Sequence, residues 1–479
     1  MQLVLLTTDL LFLMLMTMAG VYVWYAHRHE HLCAPWREVR RNKMGMSAAV
    51  VLAMFLLVGT LDSIHFHPKN TVTDGATANS EYSAEVLSVF DALATRMRTQ
   101  VEKTYSAPFA IRAFSKETIE LDNGKTTRDY PRLKYAGAHL EAVGDRHSDI
   151  AKKILVGIGL GILGWGALVA AISFGLSLAT GGDGSGDGSG GVGTTFSRMM
   201  SDNSDTPWRV ILSTLAIVAL LVGIVCSVSP YYHVLGTDKV GIDVLYQTLK
   251  SIRTGLIIGT LTTLVMLPFA LIFGITAGYF KGWVDDLIQY LYTTLSSIPS
   301  ILLIAAAALI LEVYMSRNAE SFSSLVARAD LRLLALCAIL GITSWTGLCR
   351  LLRGEALKLR EIAFVESARA FGVSHFSIIA RHMIPNVMHI VMISIVLDFS
   401  GLVLAEAVLS YINIGVDPTM ESWGNMINSA RLELAREPMV WWSLLAAFIF
   451  MFVLVLAANI FADAVRDAFD PRLRVVHAH

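Results

Sequence analysis

The chain has 479 residues, of which 54% are hydrophobic and 16% are charged, and its mean hydropathy is +0.57. A soluble domain carries about 25% charged residues, so this composition excludes an ordinary soluble protein and indicates an integral membrane protein. The formal net charge is −1, and the basic residues are spread over several loops. This dispersion argues against a nucleic-acid partner.

The first apolar run, MQLVLLTTDLLFLMLMTMAGVYVWY, has no basic n-region and no small-residue cleavage site. It is also too long for a signal peptide, so we expect it to remain as the first membrane span. A span needs about 20 mostly apolar residues. Nine segments reach that length: 3–25, 46–66, 154–179, 209–229, 255–280, 286–312, 332–350, 388–412 and 440–465.

Two connecting loops are basic. The loop after the first span contains Arg28, Arg37, Arg40, Arg41 and Lys43. The loop at 350–387 contains Arg350, Arg353, Lys358, Arg360, Arg369 and Arg381. Basic loops stay on the cytoplasmic side. With nine spans, this bias predicts an external N-terminus and a cytoplasmic C-terminal tail.

The first basic loop also holds possible metal ligands. They are His27, His29, His31 and Cys33, and the predicted topology puts His477 and His479 on the same side of the membrane. Their spacing follows no helical or zinc-binding pattern, which favours an interfacial polar loop over a metal site. The other cysteines, Cys226, Cys337 and Cys349, lie in or beside apolar runs and give no disulfide framework.

Residues 67–150 mix charged and Ser/Thr residues with short β-prone runs, and DNG at 122–124 is a hairpin-turn signal. We expect a small α+β domain outside the membrane here. Further on, the tract GGDGSGDGSGGVG at 181–193 offers Asp183 and Asp187 as calcium ligands, but its composition is typical of a flexible linker.

Several polar residues interrupt the later spans. Asp285 and Asp286 open the sixth span, where carboxylates suit the helix dipole and the free N–H groups. Pro299 should interrupt the same span, with Ser296, Ser297 and Ser300 able to satisfy the freed backbone groups; it is a kink or a gate hinge. In the eighth span, Asp398 is a candidate for lining a pathway, and Glu406 is a candidate for either substrate contact or an interhelical hydrogen bond.

The segment between the seventh and eighth spans is too charged to cross a membrane and keeps helical periodicity. Phe364, Ala368 and Phe371 lie at i, i+4 and i+7, so the pattern predicts an amphipathic helix with Glu366 and Arg369 on another face.

A corner and a second short helix should follow. Gly372 can adopt a left-handed conformation, Ser374 is a suitable N-cap, and Pro385 is expected to stop the second helix. The segment is therefore predicted to be helix, glycine corner, helix.

This segment resembles the EAA loop of ABC importer permeases through Glu366-Ser367-Ala368, Gly372 and Ile384-Pro385. Ser367 replaces the second motif residue and His382 stands where many families have isoleucine, while RHMIPN is similar to the form of the peptide-transporter branch. Stretches at 233–256, 278–303, 404–427 and 463–474 also resemble the C-type permease subunit of dipeptide, oligopeptide and nickel importers, as does WREVRRNKMG before the second span.

The resemblance implies an all-α polytopic membrane protein of the type I ABC importer permease fold, with the α+β insertion added. Its segments would be the N-terminal helices (1–66), the extracytoplasmic insertion (67–150), two additional helices with the Gly/Ser linker (151–230), and the permease core (231–479) with its EAA coupling loop at 353–387. The coupling residues that it implies are Glu366, Ser367, Ala368, Arg369, Gly372, Val373, Ser374 and Pro385.

The implied partners are a second permease subunit, two cytoplasmic ATPase subunits, an extracytoplasmic substrate-binding protein and membrane lipid. The implied location is a bacterial cytoplasmic membrane. The sequence contains no GxxxxGK[ST] phosphate-binding loop, so the chain is expected to bind no cofactor itself, with ATP and Mg²⁺ held by the ATPase partners, and not to be an enzyme.

Short peptides are the expected substrates, with nickel or antimicrobial peptides as alternatives within the family. A secondary transporter would need coupling-ion carboxylates in paired interrupted helices, and only the eighth span hints at this. A membrane-anchored sensor would place its function in residues 67–150 and leave the C-terminal motifs unexplained.

Overall fold

The computed structural model describes residues 2–69, 83, 85–120, 126–141, 143–180, 206–318 and 324–469. Helices dominate this part of the chain. In order they are α1 (Thr7–His27), α2 (Glu30–Arg41), α3 (Lys43–Asp62), α4 (Val89–Leu93), α5 (Thr95–Thr99), α6 (Arg146–Thr180), α7 (Trp208–Val228), α8 (Val244–Phe280), α9 (Gly282–Ser297), α10 (Ser300–Arg317), α11 (Leu325–Ser344), α12 (Thr346–Leu359), α13 (Ala363–Ala370), α14 (His375–Ile378), α15 (Ile384–Tyr411), α16 (Trp423–Glu433) and α17 (Trp442–Phe469).

Eight helices in the described ranges are long and apolar enough to cross a membrane, whereas nine spans were predicted. They are α1, α3, α6, α7, α8, α10, the continuous run His375–Tyr411 that ends in α15, and α17. The difference lies in the predicted span 332–350. The structure places there the end of α11 and the start of α12, with Trp345 between them. Helix α11 carries Arg328, Asp330 and Arg332, so it falls outside this count by composition, although it runs from the start of α1, which Asp330 contacts, to α12.

The predicted sixth span, 286–312, is also divided. It forms α9 and α10, which are separated at Ile298 and Pro299. Both of these residues have extended ψ angles, 131° and 119°, so the interruption is a complete break in the helix. The prediction of a kink underestimated this effect of proline, which has no N–H to donate.

A three-stranded sheet joins the beginning of the chain to the insertion. Strands β1 (Gln2–Val4), β2 (His65–His67) and β3 (Leu87–Ser88) pair in that order, and both pairings are antiparallel. The start of α1 and the end of α3 therefore lie at the same end of the bundle, which we call the sheet end. The insertion adds the hairpin β4 (Glu117–Glu120) and β5 (Thr126–Asp129), together with α4 and α5.

This content confirms the small α+β insertion. The DNG turn lies outside the described residues, as do the Gly/Ser tract with Asp183 and Asp187, and the histidines His477 and His479.

Helix α8 is the centre of the bundle, because side chains along its whole length are buried. It packs against α3, α11, α12 and α15. Close approach is possible where the residues are small: a Cβ on Gly278 would lie 2.5 Å from the Cβ of Ala356 on α12. Helices α6 and α7 form a separate pair at the side of the bundle, where α7 contacts α3 and the Ser47 and Thr214 hydroxyls are 3.1 Å apart.

The opposite end of the bundle, which we call the basic end, holds α2, the end of α8 and residues 360–383. Helix α2 packs on the end of α17, where the Trp36 and Phe469 rings meet edge to face at 5.5 Å and Val39 is buried against Val465. The basic segment after α1 is thus a helix and not the predicted loop, and it shares one end of the molecule with the segment that resembles the EAA loop.

Candidate functional site

The segment with the EAA-like motif is seated firmly on the basic end of the bundle. Val365 of α13, Ile378 of α14 and Met383 are fully buried. Their neighbours in one hydrophobic cluster include Tyr279 at the end of α8 and Leu352, Ala356 and Leu359 of α12. Burying such side chains contributes about 1.5 to 3 kcal/mol each, so the segment is fixed to the ends of two core helices.

The corner between α13 and α14 has the predicted conformation. Gly372 has φ +73°, in the left-handed region. The Val373 N–H donates to the Ala368 carbonyl at 3.1 Å and the Gly372 N–H donates to the Arg369 carbonyl at 3.1 Å, which is the Schellman pattern of a helix C-terminus. Beyond the corner, the Ser374 hydroxyl accepts from the Ser377 N–H at 3.4 Å and caps α14 as predicted.

Polar and ionic contacts hold the same segment to α8. The Tyr279 hydroxyl lies 2.7 Å from Nδ1 of His375, and the Arg360 guanidinium donates to the Tyr279 carbonyl at 3.0 Å. Lys281, just after α8, pairs with Glu361 at 2.8 Å. A displacement of the segment therefore has a direct mechanical route into the central helix.

The outward face of the segment combines charge with exposed aromatic rings. Glu366, Ser367 and Arg369 are exposed on α13. Phe371 is 87% exposed and Phe376 is 82% exposed, on either side of the corner. Two large exposed aromatic rings beside charged groups give this face the composition of a protein interface.

The prediction of which face of α13 is buried was wrong. Phe364 is 43% exposed and Phe371 is almost fully exposed, while Ala368 is only partly buried. The residue that anchors the helix is Val365. The periodicity was read correctly as amphipathic, but the stripe of Phe364, Ala368 and Phe371 faces mainly away from the core. Phe376 was not predicted at all, although an aromatic residue in the polar stretch SHFS was an available signal.

Pro385 does not stop the second helix. Residues Ile379–Met383 form a π turn that continues directly into α15, and Pro385 lies in the first turn of that helix. Proline is tolerated there because the first N–H groups of a helix have no intrahelical acceptor. The chain from His375 to Tyr411 is therefore helical throughout.

Two contacts join α9 to α12 near the same end. Asp285 accepts from Nε and Nη2 of Arg353 at 2.5 and 2.7 Å, a bidentate pair. Ser296 accepts from Arg350 at 2.6 Å, and Ser297 donates to the Thr293 carbonyl. Asp285 thus has the structural role that was predicted, but it binds Arg353 and not the free N–H groups of the helix. The Ser296 and Ser297 hydroxyls bind other groups, so they do not satisfy the backbone groups that Pro299 leaves free.

The remaining acidic candidates occupy different settings. Glu406 is buried in α15 and accepts from the Ser410 hydroxyl at 2.7 Å, and a Cβ on Gly424 of α16 would lie 2.9 Å from it. Asp398 is half-buried in the same helix and has no ion pair or hydrogen bond with a described residue. Asp286 is exposed.

At the sheet end, a buried ionic cluster ties the insertion to the bundle. His233 Nδ1 lies 2.7 Å from Asp243, the N-cap of α8, and its Nε2 lies 3.7 Å from Glu102 of the insertion. Burial alone would lower the pKa of His233, but its hydrogen bond to Asp243 and the nearby carboxylate of Glu102 outweigh burial and raise this pKa to about 9. For Glu102, burial raises the pKa, while His233 and three backbone N–H groups lower it to about 2. Long-range pairs of this kind give no local signal in the sequence.

The histidine and cysteine side chains of the first loop form no metal site that the described residues reveal. Within those residues, no three His, Cys, Asp or Glu side chains are grouped to hold a metal ion. His29 Nδ1 lies 3.0 Å from the Tyr25 carbonyl. The His31 side chain lies outside the description.

Comparison with known proteins places this arrangement in context. Residues 270–475 match the family model described as binding-protein-dependent transport system inner membrane component. The chain is 32% identical to the dipeptide transport system permease protein DppC of Lactococcus lactis subsp. cremoris, over 50% of this chain and 64% of that protein. It is 30% identical to the glutathione transport system permease protein GsiD of Pectobacterium atrosepticum, over 73% of that protein, and 33% identical to the oligopeptide transport system permease protein OppC of Mycobacterium tuberculosis, over 77%. Each similarity covers about half of this chain, and α1–α7 lie outside the family match.

Proposed function

This chain belongs to the binding-protein-dependent transport system inner membrane components, and from this premise we propose that it forms half of the translocation pathway of an ATP-driven importer of short peptides. The proposal rests on family membership together with one structural observation. A two-helix segment is fixed rigidly to the core and turns an exposed face of Glu366, Arg369, Phe371 and Phe376 outward.

The coupling step follows from the contacts of that segment. When a partner ATPase subunit holds Phe371 and Phe376, its movement is passed through Val365, Ile378 and the Tyr279–His375 hydrogen bond into α8 and α15. Packed cores respond to such a load as rigid elements, because they have little free volume. ATP and Mg²⁺ are assigned to the ATPase partners, and this chain supplies the pathway and the docking face.

The proposed partners are a second permease subunit, two ATPase subunits and an extracytoplasmic binding protein, in a bacterial cytoplasmic membrane. The basic end, with α2 and the docking face, is assigned to the cytoplasm, and the sheet end to the outside. Short peptides are the proposed substrates because the named relatives are transporters of dipeptides, oligopeptides and the tripeptide glutathione. Nickel is the alternative within the family.

The coupling residues are given separate roles. Val365 and Ala368 seat α13, Gly372, Val373 and Ser374 make the corner, and Ser367 lies with Glu366 and Arg369 on the outward face. Glu406 is assigned a structural role, because it accepts from the Ser410 hydroxyl within α15 and lies against Gly424 of α16. Asp398 is assigned to the pathway, because a carboxylate in a membrane helix is costly unless it faces the bundle interior or water. Pro299 is assigned to the gate, as the break between α9 and α10.

The test is reconstitution of the chain with its permease and ATPase partners in lipid, with dipeptide uptake and ATP hydrolysis measured together. Replacing Phe371 and Phe376 by Ser should release the ATPase subunits from the purified complex and abolish peptide-stimulated hydrolysis. The matched control is Phe174→Ser on α6, an exposed aromatic residue outside the family match. Normal coupling in the double variant would contradict the docking role, and uptake of Ni²⁺ but not of peptides would overturn the substrate class.

A further inference from the structure

Helix α2 has one face on the bundle and one face open. Pro35 and Val39 are buried, and Val39 packs against Val465 near the end of α17. Arg37 and Arg40 are exposed. The helix has 12 residues and is about 18 Å long, and it bridges the ends of the membrane helices α1 and α3. Because its buried face is fixed to α17, its open face is held at the surface of the basic end.

This open face is cationic. Arg37, Arg40 and Lys43, which opens α3 two residues after the end of α2, are exposed. We call these three residues the cationic face. None of their side chains forms an ion pair or a hydrogen bond with another residue in the described part of the chain. Three positive charges are therefore open to a partner outside the chain.

Acidic side chains near α2 do not neutralise the cationic face. Glu38 on the same helix lies 3.9 Å from Arg41. Asp463 and Asp467 near the end of α17 are exposed, and within the described residues neither of them pairs with the cationic face. The face is therefore suited to an anionic partner.

Side chains of the two adjoining membrane helices indicate the kind of partner. Trp24 in the last turn of α1 is 57% exposed, and Met44 in the first turn of α3 is 74% exposed. The Arg28 guanidinium lies over the Trp24 ring, 4.0 Å from its centroid. Tryptophan at the end of a membrane helix is typical of the level at which lipid headgroups lie. The cationic face thus adjoins an apolar surface that faces lipid, which favours a phospholipid over a water-soluble protein.

We propose that α2 binds the headgroups of anionic phospholipids at the basic end. The cationic face receives the phosphate oxygens, because guanidinium and ammonium groups form strong charge-assisted hydrogen bonds with phosphate. The exposed surfaces of Trp24 and Met44 contact the adjoining acyl chains. Helix α2 is then fastened on two sides, to α17 and to the leaflet. This inference goes beyond the proposed function and uses from it only the placement of the basic end at a membrane surface.

The test places a bimane fluorophore on Met44→Cys, in a background of Cys33→Ser and Cys226→Ser, in the purified complex in phosphatidylcholine nanodiscs. Phosphatidylglycerol or phosphatidylcholine with a spin-labelled acyl chain is added, because either lipid quenches a fluorophore that it contacts. Phosphatidylglycerol should quench this label at a mole fraction at least about fivefold lower, since a single cation near an anionic lipid surface strengthens binding by about that factor. The same label on Phe174→Cys of α6, an exposed position outside α2, should be quenched equally by the two lipids.

Removal of the cationic face should abolish the preference for phosphatidylglycerol. In the triple variant Arg37→Gln, Arg40→Gln and Lys43→Gln, the two lipids should quench the label at position 44 equally. Inorganic phosphate, compared with chloride at equal ionic strength, should leave the preference of the original protein unchanged, because free phosphate has no acyl chains to contact the apolar surface.

A matched control removes the same number of exposed cations from the insertion at the sheet end. The variant Arg96→Gln, Lys103→Gln and Arg112→Gln changes the net charge equally and should keep the full preference at position 44. Loss of the preference in this control would assign it to the overall charge of the protein and overturn the inference.

Three further results would overturn it: equal quenching by the two lipids in the original protein, a preference that persists without the cationic face, and a preference that inorganic phosphate removes. If the variant without the cationic face keeps the preference but loses the ATPase subunits, α2 is a protein contact instead. Failure of the proposed function has a different signature. A complex that shows the lipid preference but does not import dipeptides leaves this inference standing and removes the importer assignment, and import without the preference does the reverse.

Discussion

The backbone N–H and the hydroxyl of Thr7 both donate to Oδ2 of Asp330, at 2.9 and 2.5 Å, although 323 positions separate the two residues. Thr8 donates to the same carboxylate. The N-cap residue of α1 is Leu6, which has no side-chain acceptor, so Asp330 caps this helix from α11.

The first prediction concerns this shared cap. Asp330→Asn keeps the shape but removes the charge, so it should destabilise the docking of α1 by about 1.5 to 3 kcal/mol. The expected result is a lower thermal unfolding midpoint in detergent and faster hydrogen exchange at the start of α1. Asp286→Asn, at an exposed position, should change neither quantity. Equal behaviour of the two variants would mean that the cap contributes nothing.

The second prediction concerns the corner at Gly372. No heavy atom lies within 4 Å of a Cβ built there, so any cost of a side chain comes from φ +73° and not from a clash. Gly372→Val should cost about 1 to 2 kcal/mol and tilt α14, whereas Gly372→Asn should be tolerated better, because Asn adopts this conformation more readily. The readout is peptide-stimulated ATP hydrolysis with membrane abundance as the control, and unchanged coupling in the Val variant would argue that the corner only connects.

The third prediction compares two ion pairs near the basic end. The Asp285–Arg353 pair is bidentate and mostly buried, whereas Lys281–Glu361 is largely exposed. Arg353→Ala should therefore lower the stability by roughly 2 kcal/mol or more, whereas Glu361→Gln should change it much less, because solvent screens the exposed pair. The double exchange of Asp285 to Arg and Arg353 to Asp should recover part of the loss. Denaturation of the purified protein compares all three, and a larger effect at Glu361 would contradict this ranking.

The fourth prediction is a pH dependence at the sheet end. The pKa of His233 is about 9 in the folded protein, above its usual value of about 6.5. Protonated His233 therefore stabilises the fold fully below about pH 6.5, and this stabilisation is lost as the pH rises through about 9. The pKa of Glu102 is about 2, so its contribution is present above its usual value of about 4.5 and disappears only as pH falls toward 2. Attachment of the insertion should therefore weaken between about pH 6.5 and 9.

Hydrogen exchange of residues 85–120 across that range is the direct measurement. Opening should become easier by roughly 1 to 3 kcal/mol in the original protein, and His233→Gln should remove most of the slope. Burial and the neighbouring Asp149 raise the pKa of Tyr232, so this tyrosine stays neutral in the same range. A slope that persists in the Gln variant would assign the effect to another group.

The fifth prediction addresses orientation. In a background with Cys33→Ser and Cys226→Ser, an impermeant thiol reagent should label Thr127→Cys on exposed β5 in intact cells. It should label Ala370→Cys on exposed α13 only after the membrane is opened. The buried Cys337 and Cys349 should remain unlabelled in both cases. Labelling of Ala370→Cys in sealed cells would invert the proposed topology.

Much of this architecture is readable from the sequence, because the bilayer imposes simple rules on composition and length. The long apolar helices and the left-handed Gly372 were predicted correctly from local patterns. The predictions failed where tertiary contacts decide the outcome. Helix α11 tolerates Asp330 because α1 supplies four donor groups to it, and the helix at Pro385 continues because a π turn removes the need for its N–H.

The candidate site was only partly predictable for the same reason. The corner residues follow from local chain geometry, but which face of α13 is buried depends on where α8 and α12 end. Likewise, the Asp285–Arg353 ion pair forms only because α9 packs against α12. Neither fact has a signature within a short window of residues.

The pairing of β1 with β2 restricts how the membrane domain can move. Backbone hydrogen bonds join the start of α1 to the end of α3, and the Arg253 guanidinium on α8 lies 2.6 Å from Asp9 on α1. Sliding α1 past α3 would break the strand pairing and leave a buried charge without its partner, which costs several kcal/mol. During a transport cycle these three helices should therefore travel as one rigid body, together with α11, which Asp330 ties to the start of α1.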